Sequence, residues 1–382
     1  MLPIHGPLGK DGPLNSLLKA PPLPRQALFA AILAVAAFLA GCASERPPRI
    51  SSTDAHALIE RALPAGVADR SGWINDIYTG FTAQGLEPTH ENVCAVVAVI
   101  EQESNFRSNP SVPGLPAIAW KEIRARAEHS GVPWMLVHGA LQMSSPTGAS
   151  YGDRIDHAKT EKDLSDIYED FIGAVPLGHT LFADHNPIRT RGPMQVNVAF
   201  LKRTEAVRTY PYPVKTTMAD ELFSRRGSIY FGIAHLLGYK APYPRYLFRF
   251  ADFNAGQYAS RNAAFQNAVS AASGIPVTPD GALLPANADV GSTESAVRAL
   301  EGRLEAADDS VHSDLEKGKG PRFEDTAVYK RVFMLAEQRQ GRPAPRALVP
   351  RIKLQGPKIS RNLTTDWYAH RVDGRFQQCL KR

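Results

Sequence analysis

"AVVAVIEQESNF", residues 95–106, is the stretch whose reading decides the fold. Six apolar residues, Ala95 to Ile100, run straight into Glu101, Gln102, Glu103 and Ser104. A run this rich in β-branched residues suits a strand as readily as a helix. In a strand, Glu101 and Glu103 share a face and form a carboxylate pair. In a helix they stand about 200° apart, and only one can face a given cleft. Thr89, after Pro88, is a suitable N-cap, and the segment from it runs about 15 residues, long for a strand. Asn105 and Asn109-Pro110 mark its end. The expectation is a buried helix with one carboxylate, Glu103, at its C-terminal end. Apolar walls and the negative end of the helix dipole both favour the protonated carboxyl.

The chain has 382 residues, enough for one large domain or two modest ones. Its net charge is +6 and its pI about 9.1. This mild excess is spread along the chain, with no basic stripe and no interleaved aromatics, so nucleic acid is not expected as a partner. It suits an acidic surrounding or substrate. Ahead of the globular part, Arg25 precedes an apolar run from Ala27 to Ala40 that ends in Leu39-Ala40-Gly41-Cys42. The run is too short to span a bilayer and fits the h-region of a signal peptide. LAGC resembles a bacterial lipobox, which implies cleavage after residue 41 and lipidation of Cys42. Ala43 and Ser44 follow, with no Asp, which in resembling lipoproteins favours passage to the outer membrane. The expected location is the periplasmic face of the outer membrane of a Gram-negative bacterium. Several acyl chains, each worth about 0.8 kcal/mol per buried CH₂, make such an anchor stable.

Residues 42–53 read as a tether. Helical patterns follow from Asp54 and from Trp73, and again from Met218 to Gly274. Between them lies a long stretch broken by prolines at 110, 113, 116, 133, 146, 176 and 187. Residues 275–290 read as a boundary loop. Two charged helices are expected near 292–306 and 323–340, ahead of a tail ending "TTDWYAHRVDGRFQQCL". The class is mainly α. Two cysteines remain besides Cys42. In an exported chain Cys94 and Cys379 can pair, tying the tail to the opening helix, or stay as two buried thiols.

Three motifs in order resemble those of lytic transglycosylases and goose-type lysozymes. "ESNF" at 103–106 looks like their glutamate-serine motif. "GPMQV" at 192–196 looks like their Gly-Leu-Met-Gln-Val/Ile, and "FNAG" at 253–256 like their Tyr-Asn-Ala-Gly. The intervening "RRGSIYFGIAHLLGY" is similar to the helix beneath that family's cleft. The resemblance covers about residues 85–270. It implies a lysozyme-like helical domain over 54–275, with an insertion at about 107–190. It says little about the rest, where the helical patterns lead us to expect a C-terminal extension over 290–382 packed on that domain. By position, Glu103 would be the single acid/base. Ser104 would bond near it and to sugar, Gly192 would let backbone approach substrate, and Met194 would line the cleft. Gln195 would bind sugar amides or hydroxyls, and Asn254 would hold the N-acetyl sugar or the loop facing it. Phe253, which stands where the family has tyrosine, would belong to the same substrate-binding set without that hydroxyl. The implied partner is the glycan strand of peptidoglycan, cleaved between N-acetylmuramic acid and N-acetylglucosamine to leave 1,6-anhydro ends. A carboxyl that keeps its proton near neutral pH can donate it to the leaving oxygen of such a bond. No cofactor is implied.

Other readings stay open at this level. A non-catalytic murein-binding or scaffold lipoprotein would keep the same fold. Asp252 would turn the chemistry towards lysozyme-type hydrolysis if it faced the cleft, but reads more readily as a surface acid. "HGALQMSS" at 138–145 offers Gln142 as a rival to Gln195. His179, Asp184 and His185 have poor spacing for one helical face, HExxH is absent, and no metal site is expected.

Overall fold

The computed structural model describes residues 50–175, 180, 185–285, 290–300, 302–304, 308–354 and 361–382. The expected signal segment, Cys42 and nearly all of the tether lie outside these residues, as do His179 and Asp184. The described chain is mainly helical, as expected. Ile50–Arg382 forms one compact unit.

Helix α1 (Ser52–Ala62) starts behind Ser51 and α2 (Arg70–Ala83) behind Asp69, each cap side chain accepting a backbone N–H. Helix α3 is His90–Glu103, and Thr89 caps it through a bond from the Asn92 N–H. The segment that opened the question is therefore a helix. Every residue from Val93 to Ile100 is buried. A run with no polar face suits a helix surrounded on all sides, so burial overrides the strand preference of its valines.

The stretch expected as an insertion contains, among its described residues, the helices α4 (Leu115–His129), α5 (Trp134–Leu141), α6 (Tyr151–His157) and α7 (Glu161–Gly173). It has its own small core of Leu115, Ala119, Leu141, Tyr151, Ile155, Ala158 and Ile167. The chain then makes a hairpin that the sequence did not announce. Strands β1 (Thr190–Arg191) and β2 (Val196–Asn197) pair antiparallel, with Arg191 opposite Val196, and frame residues 192–195 as their loop. Helices α8 (Val198–Leu201), α9 (Met218–Glu221), α10 (Arg225–Leu237), α11 (Tyr246–Ala255) and α12 (Ala259–Ser273) follow. Beyond them come α13 (Ser292–Arg298), α14 (Asp308–Glu316), α15 (Ala327–Gln340) and α16 (Thr365–Cys379).

Two larger cores organise these helices, and they do not divide at the expected boundary loop. The first gathers α3, α10 and α11 with residues from α1 and α2, and includes Tyr368, Ala369, Val372, Phe376 and Cys379 of α16. The second gathers Phe265, Ala268 and Val269 of α12 with Val297, Phe323, Val332 and Phe333. So α12, expected in the first domain, is the spine of the second lobe. The C-terminal extension is not one body: 292–348 belongs to the second lobe, whereas α16 returns to the first core.

Helix α16 earns that place by its pattern. Thr365, Tyr368, Ala369, Val372, Phe376 and Cys379 are its buried residues, one stripe at helical spacing. The stripe packs against α11 and α3. Cys94 of α3 and Cys379 of α16 form a disulfide, with Cα atoms 5.5 Å apart. At the other end, the Tyr368 hydroxyl donates to Glu103 Oε1 at 2.5 Å. The two contacts lie 9 residues apart on α3 and 11 on α16, about 14 and 17 Å of helix, so the helices run antiparallel. Between them Arg375 donates to Glu101 at 2.7 Å and to Gln102 at 3.1 Å.

A disulfide spanning 285 residues of sequence restricts the unfolded chain strongly. The double variant Cys94→Ala, Cys379→Ala is expected to lose about 2–5 kcal/mol in urea denaturation. An unchanged midpoint would show that α16 holds its place without the bond.

Candidate functional site

Glu103 is the last residue of α3 and is half-buried. The chain turns sharply after it, since Asn105 and Phe106 both take left-handed backbone angles of φ 49° and 59°. Two such residues in succession are costly without glycine and are held by their surroundings. Phe106 is buried edge-on against Trp73, ring centroids 5.1 Å apart, which pins the turn.

The two acids of the opening motif take different partners. Glu101 pairs with Arg375 and lies 3.9 Å from Arg382, so its carboxylate secures the tail. Glu103 instead accepts from Tyr368, a phenol buried among apolar neighbours. Burial, together with the adjacent Glu103 charge, drives the Tyr368 pKa well above its ordinary value. The phenol therefore stays protonated across the physiological range and remains a donor to Oε1. One helical turn before Tyr368, Thr365 Oγ1 donates to Asn254 Oδ1 at 2.8 Å. Asn254 is exposed, and its amide nitrogen makes no hydrogen bond among the described residues. A single face of α16 thus links Glu103 to the "FNAG" motif.

The hairpin loop is placed differently from what the resemblance implied. Gly192 has φ +72°, and a Cβ there would sit 2.0 Å from the Leu222 carbonyl and 2.6 Å from Ser228 Cβ. Glycine is required by close packing against the chain itself. The Met194 N–H donates to Ser228 Oγ at 2.9 Å, and its side chain is fully buried against Gly232, where a Cβ would meet the sulfur at 2.2 Å. Met194 is core, not cleft lining. Gln195 takes a left-handed backbone at φ 50°, and its amide is engaged on both ends. Oε1 accepts from Thr190 at 2.8 Å, while Nε2 donates to Gly192 O at 3.2 Å and to Glu161 Oε2 at 3.3 Å. It fastens the hairpin to α7 of the insertion. Ser104 is buried and donates to Ile100 O at 3.1 Å, so its proton serves the helix end rather than an outside ligand. Phe253 is also buried, 4.8 Å from the His235 ring.

Two further expectations change. Asp252 is fully buried, not a surface acid. It accepts from Tyr239 at 2.9 Å, Tyr243 at 2.7 Å, and the backbone N–H groups of Tyr258 at 3.0 Å and Ser260 at 2.6 Å. Burial pushes its pKa up to about 6 against those four donors, and its oxygens face the start of α12. Gln142 is exposed at the end of α5, within the insertion. Met194 and Val196, by contrast, share the core of α3, so the 192–196 motif is the one built into the body that carries Glu103. His185 is exposed, and the described residues contain no cluster of three or more His, Cys, Asp or Glu fit to hold a metal.

A family model for a "protein of unknown function (DUF1615)" matches residues 66–382. The chain belongs to the DUF1615 family. It is 49% identical over 349 residues to the "Uncharacterized protein YaiW" of Escherichia coli (strain K12), covering 90% of this chain and 95% of that one. No solved structure matches it. The family model takes in the three motifs and α16 together, so the Glu103–Tyr368 pairing lies wholly within the DUF1615 region.

Tyr368, Thr365 and Arg375 are the site residues that sequence reasoning missed. Their signal was present: Thr364 caps α16 by accepting from the Trp367 N–H, and apolar residues recur at 368, 372, 376 and 379.

His235 supplies a pH test of this body. It lies between Phe200, on which it stacks, and a tilted Phe253, ring centroids 4.7 and 4.8 Å away, with a buried Nδ1 lacking a partner among the described residues. Burial lowers its pKa from 6.5 to about 4. The unfolded chain therefore binds the proton more readily, so stability is full above pH 6.5 and is lost as pH falls towards 4. The loss is on the order of 3 kcal/mol. In urea titrations at several pH values, His235→Leu should flatten the profile across that window. A slope identical to wild type would contradict the assignment.

Proposed function

We propose that this DUF1615 chain is a lipid-anchored murein lytic transglycosylase with a lysozyme-like helical body, in which Glu103 is the single acid/base. The observation that carries the reading is the line Glu103, Tyr368, Thr365, Asn254, which joins the first and third motifs through one face of α16.

In this reading the Glu103 carboxyl, held through Oε1 by Tyr368, gives its proton to the oxygen bridging N-acetylmuramic acid and N-acetylglucosamine. The C1–O bond breaks and the acetamide oxygen of the muramic residue closes on C1, so no second carboxylate is needed. Glu103, now a carboxylate, takes the proton of the muramic 6-hydroxyl. That oxygen bonds to C1, the acetamide is released, and Glu103 is again protonated. No water is consumed. The phenol bond strengthens when Glu103 is charged, so it steadies the carboxylate in mid-cycle. The free Asn254 amide donors suit the acetamide carbonyl. The hydrolase alternative based on Asp252 loses its footing, because that carboxylate is enclosed by four donors.

A second reading, a murein-binding lipoprotein that does not cleave, is favoured by one observation: the Gln195 amide is already bonded within the protein. Digestion of purified sacculi separates the two. The enzyme releases fragments with 1,6-anhydro ends, detected by mass, and Glu103→Gln lowers release by about 10³-fold. Tyr368→Phe lowers it about tenfold with little change in melting temperature. Binding to sacculi without release of any fragment would establish the non-catalytic reading instead.

The anchor is part of the same proposal and rests on the LAGC sequence at 39–42. Cells fed a labelled fatty acid should transfer the label to this protein, and Cys42→Ala should abolish the transfer. Label retained by that variant would remove Cys42 from the account.

A further inference from the structure

Helix α5 is the least satisfied apolar element of the described chain. Large hydrophobic residues stand exposed at nine described positions, and four of them fall between 132 and 143: Val132 at 41%, Met135 at 84%, Leu136 at 66% and Met143 at 57%. A soluble surface does not normally gather such residues unless something covers them. The geometry of α5 explains the choice of side. Val137 and Leu141 face the insertion's own core. At 100° per residue, Met135 and Leu136 then point away from it.

Charge is distributed to match. From His129 to Gly152 there is no Asp, Glu, Lys or Arg. Beside this neutral stretch, Trp120, Lys121 and Arg124 of α4 form an open cleft with Trp134 and His138 of α5. The two indoles meet edge to face at 6.1 Å, and the Arg124 guanidinium lies 4.4 Å over the Trp134 ring. Neither Lys121 nor Arg124 forms an ion pair among the described residues. Outward methionine and leucine, tryptophan at the margin, and unneutralised cations beside it are what a bilayer interface selects. A glycan would use the indoles but not the aliphatic side chains, whereas a lipid surface uses both.

We infer that α5 and its flanks form a second membrane contact. Met135 and Leu136 enter the acyl boundary of a lipid surface, Trp134 sits at headgroup level, and Lys121 and Arg124 meet anionic phosphates. The proposal rests on the anchored reading only for the source of the surface. One acyl-linked attachment point leaves a body free to swivel, and a second contact on the insertion would fix which side of the protein faces away from the membrane.

Co-sedimentation of the chain from Ala43 onward with vesicles tests this apart from lipidation, since Ile50–Arg382 is one compact unit retaining both cores of the main body and that of the insertion. Binding is expected to vesicles of phosphatidylethanolamine with phosphatidylglycerol, and about tenfold weaker binding to phosphatidylcholine alone. The double variant Met135→Asp, Leu136→Asp should lose about tenfold or more. Its helical circular dichroism should be unchanged, because both side chains already point to solvent. Lys121→Glu with Arg124→Glu should remove the preference for anionic lipid. Three results overturn the proposal: no sedimentation with either vesicle, equal sedimentation of wild type and the Met135, Leu136 variant, or self-association of wild type that the same variant abolishes without any vesicle binding.

Discussion

The docking of α16 against α3 is the contact on which the rest of the structure depends. Three consecutive residues at the end of α3 are each gripped from the C-terminal helix: Glu101 and Gln102 by Arg375, Glu103 by Tyr368. The disulfide fastens the opposite end of the same pair. A half-buried acid at a helix terminus is otherwise a position of low order, open to several rotamers. Here its Oε1 has a fixed donor whose proton is not lost at any ordinary pH. Tyr368, the donor to Glu103, lies 265 positions away in sequence, so this contact forms only when the last helix docks.

The two lobes are joined through α11 and α12. Helix α12 is the spine of the second lobe, and buried Arg261 ties it there by donating to the carbonyls of Gly318 and Gly320 at 2.8 and 3.0 Å. Its first turn is bound to α11 through Asp252, and α11 carries Asn254. The motif at 253–256 is therefore bonded on one hand to the start of α12 through Asp252 and on the other to α16 through Thr365. Gln195 reaches Glu161 at the start of α7, so that helix is fastened to the hairpin loop. The role of Asp252 is positional: its carboxylate is an internal cap for the turn that leaves "FNAG".

Much of this was legible in the sequence where local chemistry is decisive. Thr89 as cap, the apolar run, and Asn105 with Asn109-Pro110 together gave the bounds of α3, because a cap and a stop are short-range signals. The pairing of Cys94 with Cys379 was one of two readings left open, and the structure takes it. What the sequence hid were burial and partner choice. Met194, Phe253 and Asp252 are chemically ambiguous, and only the packing of α10 and α12 puts them inside. Gln195 reads as a ligand-binding amide until Thr190 and Glu161 are seen to occupy it. The hairpin at 190–197 was unreadable because two residues per strand leave no periodicity to detect. Tyr368 was hidden because a tyrosine on an apolar helical stripe reads as core packing and its partner lies 265 positions away.

The most direct measurement of the central claim is a crystal structure of the Glu103→Gln protein with a murein oligosaccharide containing intact muramyl-glucosaminyl links. The account predicts that residue 103, still bonded to Tyr368, lies within about 3 Å of a bridging glycosidic oxygen, with Asn254 on a neighbouring acetamide. A glycan bound elsewhere, with residue 103 out of reach of every glycosidic oxygen, would contradict it.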